Sequence, residues 1–355
     1  MQVDYLIVGQ GLAGSLLGWQ LLNSDCRILI VDTGRNNASR VAAGLINPVT
    51  GMRLVKTVQV DTLLPAAVAL YRQLEAVFRQ SFYRQMPMLR LLRNGDERQQ
   101  VQRRYADPAY SDYLDPILIQ GQIDSGVTAP CGALLQKQTG FLSTAPLLDC
   151  LKQYFIANGC YLQSRFDYQQ LETGDRQLHW RQYQANNIIF CEGYRIRDNP
   201  WFSWLPLQPV KGEILTLETM ENLPETILNF GNWLIPLDTH RFRSGATFDR
   251  TGLDDRPTAA GRLQLLDALA ASCPTLQTAR IIDQQAGIRP CTRDKNPFLG
   301  RHPRYRQMYI FNGFGAKGSL LIPYHAQRFK EHLLSAAPLP ADVDIERCHA
   351  AHFPG

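Results

Sequence analysis

Short apolar runs alternate with segments of helical periodicity from the start of the chain. Residues 5–8 form an apolar run, which predicts a buried strand. The segment from Leu16 to Leu21 meets no helix-stopping cluster before Asn23, and it predicts a helix. A second apolar run at 28–31 ends on Asp32. The pattern therefore predicts a strand, a helix and a second strand in one compact unit.

The rest of the chain continues these patterns, with a change of texture from residue 206. Segments such as "VKGEILTLE" and "HRFRSGATFD" alternate in the way that is typical of antiparallel strands. The predicted helices are 61–84, 96–105, a helix that begins at Ser143–Thr144 and stops at Gly159, and 258–272. The predicted strands are 161–167, 177–183, 186–193, 308–312 and the two alternating segments.

A chain of 355 residues is long enough for two domains, since single cores seldom grow past about 250–300 residues. The α/β pattern at both ends, with the different texture between, predicts a doubly wound domain and an inserted mixed β-sheet domain. We predict a discontinuous first domain, a second domain in two pieces and a tail. The first comprises 1–75, 138–205 and 285–335, the second comprises 76–137 and 206–284, and the tail is 336–355.

The turn between the first strand and helix carries the glycines of a dinucleotide-binding motif. Gly9 allows a tight turn, Gly11 lets the backbone approach a pyrophosphate, and Gly14 lets the helix pack close to the sheet. Asp32, 18 residues after Gly14, is placed to accept hydrogen bonds from an adenosine ribose, which disfavours NADP. The motif leaves NAD and FAD open. The alternative is a doubly wound domain that binds no nucleotide.

Composition narrows the cellular setting. The apolar fraction of 45% and charged fraction of 19% are ordinary for a globular protein. The eight cysteines contain no CxxC pair and no zinc spacing, which predicts reduced thiols, a cytoplasmic location and no metal site. No run of about 18 apolar residues exists, so we expect no membrane span, and no basic segment precedes the first apolar run as in a signal peptide.

The net charge of +5 is concentrated in one segment. Residues 66–105 contain eight arginines, from Arg72 to Arg104, against Glu75, Asp96 and Glu97. Apolar periodicity in this segment favours a helix whose arginines lie on the solvated face. The alternative is a patch that binds a polyanion such as RNA.

Several segments, in order and over nearly the full length, resemble the FAD-dependent D-amino-acid-oxidase-like family, and the glycine oxidase and sarcosine oxidase branch in particular. The resemblance implies a Rossmann-like domain of the glutathione-reductase type, a mixed β-sheet substrate domain, and FAD rather than NAD. The segments are "VGQGLAGS", "ASRVAAGL", "GFLSTAPLLDCL", "IIFCEG", "PVKGEIL", "SGATFD", "AGIRPCTRDKNPFLGRHP" and "GFGAKGSLLIP".

The resemblance also implies which residues bind FAD. The ADP half would be held by Gly9, Gly11, Gly14 and Asp32, the adenine by the strand of Phe166, and Gly193 would close on the dinucleotide. The loop under the pyrophosphate and the flavin edge would contain Arg40, Ala42, Ala43 and Gly44. The C-terminal turn at the flavin pyrimidine would contain Gly313, Gly315, Lys317, Gly318 and Ser319.

Two cations are candidate catalytic residues. The turn "GAKGS" opens a helix and carries Lys317, so it offers backbone N–H groups, a helix N-terminus and a cation to the charge of a reduced flavin. The alternative is a structural turn with a solvent lysine. By resemblance, Arg289 grips the substrate carboxylate, and its fork suits that role. The alternative is a buried ion pair with Asp294 or another acid.

Departures from the glycine oxidase pattern affect the substrate side. Trp233 stands where that branch has a tyrosine, and Phe314, Gly315 and Ala316 replace its His-aromatic-Arg. The C-terminal turn instead resembles the flavin domain of the bifunctional tRNA wobble-uridine enzyme, and the loop 47–56 adds Arg53 and Lys56 near the substrate side. Residues 38–57 contain no histidine that could link covalently to a flavin, and the spacing of Cys291 differs from that of the attachment cysteine in sarcosine oxidase. We therefore expect non-covalent FAD.

The resemblance implies an oxidoreductase that transfers a hydride from the carbon next to an amine nitrogen to flavin N5, after which the imine hydrolyses. The candidate catalytic residues would be Arg289, Lys317 and Trp233. The partner would be a small amine or amino acid. Three alternatives stay open: a tRNA-modifying oxidase of the same chemistry, a non-catalytic FAD-binding maturation or assembly protein, and a hydroxy-acid dehydrogenase.

Overall fold

The computed structural model describes residues 1–35, 37–51, 53–119, 123 and 126–352, whose strands form two large sheets and two small ones. The helices are α1 (Leu12–Leu22), α2 (Ala38–Val41), α3 (Val60–Phe78), α4 (Gly95–Tyr105), α5 (Thr144–Ala157), α6 (Ala259–Ser272) and α7 (Gly318–Ser335). The strands are β1 (Gln2–Val8), β2 (Ile28–Asp32), β3 (Leu45–Ile46), β4 (Val49–Thr50), β5 (Val55–Lys56), β6 (Tyr83–Gln85), β7 (Met88–Leu91), β8 (Leu114–Leu118), β9 (Ala133–Gln136), β10 (Gly140–Leu142), β11 (Tyr161–Gln163), β12 (Leu171–Thr173), β13 (Leu178–Trp180), β14 (Tyr183–Phe190), β15 (Val210–Glu218), β16 (Ile227–Asn229), β17 (Trp233–Pro236), β18 (Arg241–Gly245), β19 (Arg280–Arg289), β20 (Phe298–Arg301) and β21 (Met308–Asn312).

The first sheet is built around parallel strands, as the opening strand–helix–strand pattern predicts. Its eight strands include the path β11-β2-β1-β14-β13-β12, and β21 pairs with β14 on one side and β20 on the other. The pairs that β1 makes with β2 and β14 are parallel. Helix α1 packs against α5 and α7, and its Leu16 and Leu17 are fully buried. This burial explains why α1 is apolar on nearly every side.

The second sheet has the order β19-β15-β18-β17-β16-β7-β9-β8. Its strand pairs are antiparallel apart from β16 with β7. One face carries Leu215, Leu228, Leu234 and Phe242, which form an apolar cluster with Leu265 of α6. The opposite face forms one wall of the large cavity described below.

Several boundaries differ from those that the sequence predicts. The helix predicted over 61–84 ends at Phe78, because Arg79 adopts a left-handed conformation with φ of 53° and the chain turns into β6. The strand predicted over 161–167 ends at Gln163. The domain boundary predicted at 285 falls inside β19, which is one continuous strand of the second sheet.

The predicted tail also packs on the body of the protein. Val343 and Ile345 are buried, and the carbonyl of Val343 accepts a hydrogen bond from the backbone of Leu299 on β20. The segment 336–352 therefore packs against the first sheet, at β20. The remaining residues of the tail lie outside the described residues.

The arginine-rich segment does not form one solvated helix face. Its arginines are spread over α3, β6, β7 and α4 and the turns between them. Arg90 on β7 is only 7% exposed and pairs with the buried Glu97, which also accepts a hydrogen bond from the backbone of Arg93 at 2.9 Å. Burial raises the pKa of Glu97, yet the hydrogen bonds from Arg90 and Arg93 leave that pKa below its ordinary value.

No helix in the described part of the chain combines the length and the apolar character needed to cross a membrane. Within the same ranges, the acidic, histidine and cysteine side chains form no group that could hold a metal ion.

We expect Gly14→Ala to lower the free energy of unfolding by about 1–3 kcal/mol, because overpacking a close contact forces the backbone apart. A Cβ at Gly14 would lie 2.0 Å from the carbonyl oxygen of Gly9. Calorimetry of the two apoproteins measures the change. Gly95→Ala is the matched control, since nothing lies within 4 Å of the Cβ it adds. Equal stability of the two variants would contradict the close packing of α1 on the glycine turn.

Candidate active site

A cavity of about 840 Å³ lies where the ends of the first sheet's parallel strands meet the open face of the second sheet. Such an edge is where doubly wound sheets bind their ligands. The predicted site residues that line it are Gly9, Gly11, Asp32, Ala42, Ala43, Gly44, Phe166, Gly193, Trp233, Arg289, Gly315, Lys317, Gly318 and Ser319. Gly14, Arg40 and Gly313 do not line it.

The first glycine turn forms the end of the cavity beside β1 and β2. Gly9 has a φ of 103°, and a Cβ there would lie 2.6 Å from the carbonyl oxygen of Cys191. Only glycine fits this position without strain. The carboxylate of Asp32 accepts hydrogen bonds from the backbone of Gln10 at 3.0 Å and of Gly34 at 2.6 Å. Asp32 therefore holds the turn together as well as facing the cavity.

The loop after α2 runs along the cavity, although the side chain of Arg40 does not reach it. The Arg40 guanidinium forms two hydrogen bonds, of 2.7 and 3.1 Å, with the carboxylate of Asp149 on α5. Gly44 has a φ of 70°, and a Cβ there would lie 1.8 Å from the carbonyl oxygen of Leu142. The pair and the close approach fix the loop on α5 and β10, so its backbone forms the cavity wall.

Phe166 lies in the turn after β11 rather than in a strand, and its ring stacks on Trp180 at 4.8 Å. Beside it lies Glu192, which the sequence reasoning missed. Its carboxylate accepts hydrogen bonds from Tyr168 at 2.6 Å and Asn199 at 2.8 Å, and burial raises its pKa to about 7. An acid between a strand end and a glycine, as in "CEG", is the sequence signal that could have identified it.

The C-terminal turn presents a cation and a helix N-terminus together. Lys317 immediately precedes α7, and its Nζ donates a hydrogen bond of 3.0 Å to Oγ1 of Thr57. Burial lowers the pKa of Lys317. Among the described residues, no carboxylate forms an ion pair with Lys317. Gly313 lies behind the turn, where a Cβ would meet Thr292 at 2.8 Å.

The open face of the second sheet forms the opposite wall. Strand register places one row of residues side by side across five strands. Directly paired residues share a face, so the row lies on one side of the sheet. A Cβ at Gly245 would lie 2.7 Å from Cζ2 of Trp233, so the indole ring occupies the space over this glycine. The row consists of Arg90, Asn229, Trp233, Gly245 and Ile214.

Arg289 lies on the same wall, one strand beyond this row. It pairs with Val210 on β15, and a Cβ at Gly212 would lie 2.0 Å from Nη2 of Arg289. The guanidinium therefore occupies the space that a side chain at Gly212 would fill. Its partner in the described chain is the carbonyl of Thr247, at 3.4 and 3.5 Å. Burial lowers the pKa of Arg289.

The alternative partner that the sequence suggests for Arg289 is engaged elsewhere. Asp294 forms an ion pair of 2.8 Å with Arg347. No carboxylate of the described residues pairs with Arg289. Arg289 and Lys317 are thus two cations of one cavity that lack an acidic partner within the described chain, and anionic groups of a ligand would compensate their charge.

These features fit FAD, a long molecule with two anionic phosphates. The glycine turn and Asp32 suit its adenosine diphosphate half, and the cavity continues from there to the C-terminal turn at Lys317. Sequence reasoning missed four residues that shape the second-sheet wall, namely Gly212, Asn229, Gly245 and Arg90, and it missed Thr57, the hydrogen-bond partner of Lys317. The segments "PVKGEIL" and "HRFRSGATFD" contained a signal, because a glycine inside a strand marks a close approach.

The family model described as "FAD dependent oxidoreductase" matches residues 4–331. A glycine oxidase from Pseudomonas putida is 29% identical over 136 residues, which cover 38% of this chain and 37% of that protein. A glycine oxidase from Geobacillus kaustophilus is 26% identical over 349 residues, and the match covers 90% of each chain.

The bifunctional protein of tRNA 5-methylaminomethyl-2-thiouridine biosynthesis from Idiomarina loihiensis is 24% identical over 277 residues. The match covers 74% of this chain but 44% of that protein, so the chain spans less than half of its length. The crystal structure of glycine oxidase from Geobacillus kaustophilus superimposes with a TM-score of 0.83 at 22% identity, covering 98% of this chain and 97% of that one.

The resemblance, the fold class and the expectation of FAD as the cofactor are confirmed by these findings. The match to the family model covers most of the chain, from β1 to a point within α7. The chain therefore belongs to the family of FAD-dependent oxidoreductases.

Proposed function

We propose that this enzyme oxidises the C–N bond of an amino acid, or of another amine that carries a carboxylate. The observation that supports this most directly is the Arg289 guanidinium, which faces the cavity without an acidic partner in the described chain. A carboxylate is the group that a guanidinium fork binds best. Glycine oxidases among the relatives act on an amino acid by name, which supports the same reading.

When bound, FAD supplies the acceptor for a hydride from the carbon next to the amine nitrogen. The chain itself supplies orientation. Arg289 would hold the carboxylate at one end, and Trp233 would present a flat apolar surface beside it. Holding a substrate in one orientation can lower the reaction barrier by several kcal/mol. If the amine binds in its neutral form, a side-chain base is not required.

Lys317 would stabilise negative charge on the pyrimidine side of the flavin. Lys317 and the first two residues of α7, Gly318 and Ser319, line the cavity together. Thr57 accepts only one of the three ammonium hydrogens, so two remain for the cofactor. The remaining predicted FAD-binding residues keep the roles that the resemblance implies, with the loop of Arg40 contributing its backbone.

A tRNA-modifying oxidase is the second candidate, supported by the partial match to the tRNA biosynthesis protein. The arginine segment supports it less, because Arg90 is buried and Arg72 pairs with Glu75 at 2.7 Å. Salt-dependent retention of tRNA by the holoenzyme would favour it. A screen of amino and hydroxy acids for anaerobic bleaching of the flavin tests the remaining alternatives, because an inert flavin would indicate a non-catalytic protein.

We expect Asp32→Ala to weaken FAD retention, because a ribose contact is lost. The variant should also lower the stability of the apoprotein by about 1–3 kcal/mol, since two backbone N–H groups lose their acceptor. FAD content after gel filtration and reconstitution titrations measure the first effect, and calorimetry the second. Asp175→Ala, in an exposed turn, is the control. Unchanged FAD affinity would show that Asp32 supports the turn only.

Arg289→Met should lower kcat/KM for a carboxylate-bearing amine, because a charge-assisted pair is lost. The corresponding loss of transition-state stabilisation should be about 2–5 kcal/mol. The same amine without its carboxylate should be affected little, and Arg289→Lys should restore only part of the loss. FAD content and stability should stay near those of the parent protein. Anaerobic flavin reduction with the matched amines gives the rates. A uniform loss for both amines would identify Arg289 as structural.

Gly212→Ala tests the same clamp without changing the arginine. The added Cβ would displace the guanidinium from its position over the sheet. We expect a loss of carboxylate selectivity with near-normal stability, since the displaced group is the end of a flexible side chain. Selectivity equal to that of the parent protein would mean that the guanidinium can bind a carboxylate from another position.

Lys317→Met should lower the midpoint potential of the bound flavin by roughly 30 mV or more, because a cation that favours the reduced form is removed. Spectroelectrochemistry of the holoenzyme measures this potential. Lys295→Met removes a nearby but exposed charge and should change the potential much less, because solvent screens it. Equal shifts in the two variants would indicate a long-range charge effect and no specific role for Lys317.

A further inference from the structure

We propose that Arg90 and Asn229 form a second substrate subsite, which binds an oxygen acceptor at the opposite end of the wall from Arg289. The ligand class is an extended amino acid or secondary amine that carries a second carboxylate or a carbonyl group. This inference rests on the proposed function, because the first carboxylate is the one held by Arg289.

Arg90 and Asn229 lie side by side on neighbouring strands of the second sheet and line the cavity. Asn229 on β16 pairs directly with Arg90 on β7 and with Trp233 on β17, and all three line the cavity. The indole ring therefore lies between this pair and the strand over which the Arg289 guanidinium lies. Three strand spacings separate β16 from β15, which is roughly 14 Å. Both ends of the wall can thus be reached only by an extended ligand.

Arg90 and Asn229 both keep hydrogen-bond donors that the described residues do not use. Arg90 uses Nη1 for the carbonyl of Gly51, at 2.8 Å, and Nη2 for Glu97. A guanidinium has five N–H groups, so three more remain. The amide nitrogen of Asn229 has no acceptor among the described residues, and its oxygen receives only a long bond of 3.5 Å from the backbone of Gly231.

The acid that pairs with Arg90 is engaged on both oxygens. One oxygen of Glu97 accepts a hydrogen bond from Arg90 and the other accepts hydrogen bonds from Arg93. The pair of Arg90 and Glu97 is neutral as a whole. The subsite therefore offers donors more than net charge, which suits a carboxylate and an amide carbonyl alike.

A purely structural role for Arg90 would be to hold the β4–β5 hairpin through Gly51. That role does not involve Asn229, whose side chain makes no bond to the hairpin or to Glu97 among the described residues. Asn229 is also only partly buried, and the pair of Arg90 and Glu97 forms without its side chain. Asn229→Asp, which replaces a donor by an acceptor of the same shape, separates the two roles.

The experiment measures binding without turnover. Holoenzyme is titrated with α,ω-dicarboxylates from succinate to azelate, with their ω-amides, and with monocarboxylates of equal chain length, and the flavin absorbance reports binding. We expect at least one dicarboxylate or ω-amide to bind roughly tenfold more tightly than its monocarboxylate, as a charge-assisted hydrogen bond would provide. Asn229→Asp should remove this preference, and Arg90→Lys should reduce it.

Asn158→Asp adds the same charge at a remote, exposed helix end and should leave the preference unchanged. Arg289→Met should weaken all three ligand series. If the parent protein shows no preference while Arg289→Met still weakens the monocarboxylates, the second subsite is wrong and the clamp stands. If the preference survives Asn229→Asp, the subsite is likewise wrong. If no carboxylate binds to the parent protein, both the subsite and the proposed function are overturned.

Discussion

The proposed site depends on the charge of Arg289, which no carboxylate of the described residues compensates. Its guanidinium is removed from much of the solvent, occupies the space over Gly212, and meets a backbone carbonyl rather than an acid of the described chain. Burying a cation without a carboxylate is unfavourable, so the fold must provide the stability that keeps it there. In the proposed function, an anionic ligand would recover that free energy, and a carboxylate would match the guanidinium fork.

Glycines at close contacts shape both walls of the cavity. On the first sheet, Gly9 and Gly14 allow a strand, a turn and a helix to approach within contact distance of each other. On the second sheet, Gly212 leaves room for a guanidinium and Gly245 leaves room for an indole ring. Glycines therefore shape both walls: they let the backbone come close in one wall and let large side chains lie over the sheet in the other.

The two walls are joined by a few polar contacts that cross between distant segments. Lys317 at the start of α7 reaches Thr57, which follows the β4–β5 hairpin, and Arg90 on the second sheet holds that hairpin at Gly51. The cation that would face the flavin and the subsite that would select the substrate thus share one small hairpin. The hairpin therefore connects the two walls of the cavity in a protein of the FAD-dependent oxidoreductase family.

The sequence by itself determined the parts of the protein that depend on neighbours along the chain. The strands β2 and β21 were predictable from apolar runs, β15 from its alternating pattern, and the glycine turn with Asp32 from its spacing, because these signals are local. Only the tertiary structure decided that Arg40 pairs with Asp149, that Arg90 is buried against Glu97, and that Asp294 pairs with Arg347 rather than with Arg289. The first and last of these pairs join segments far apart in sequence, and the Arg90–Glu97 pair depends on how α4 packs beside β7. No local pattern specifies which charges such packing and strand register bring together.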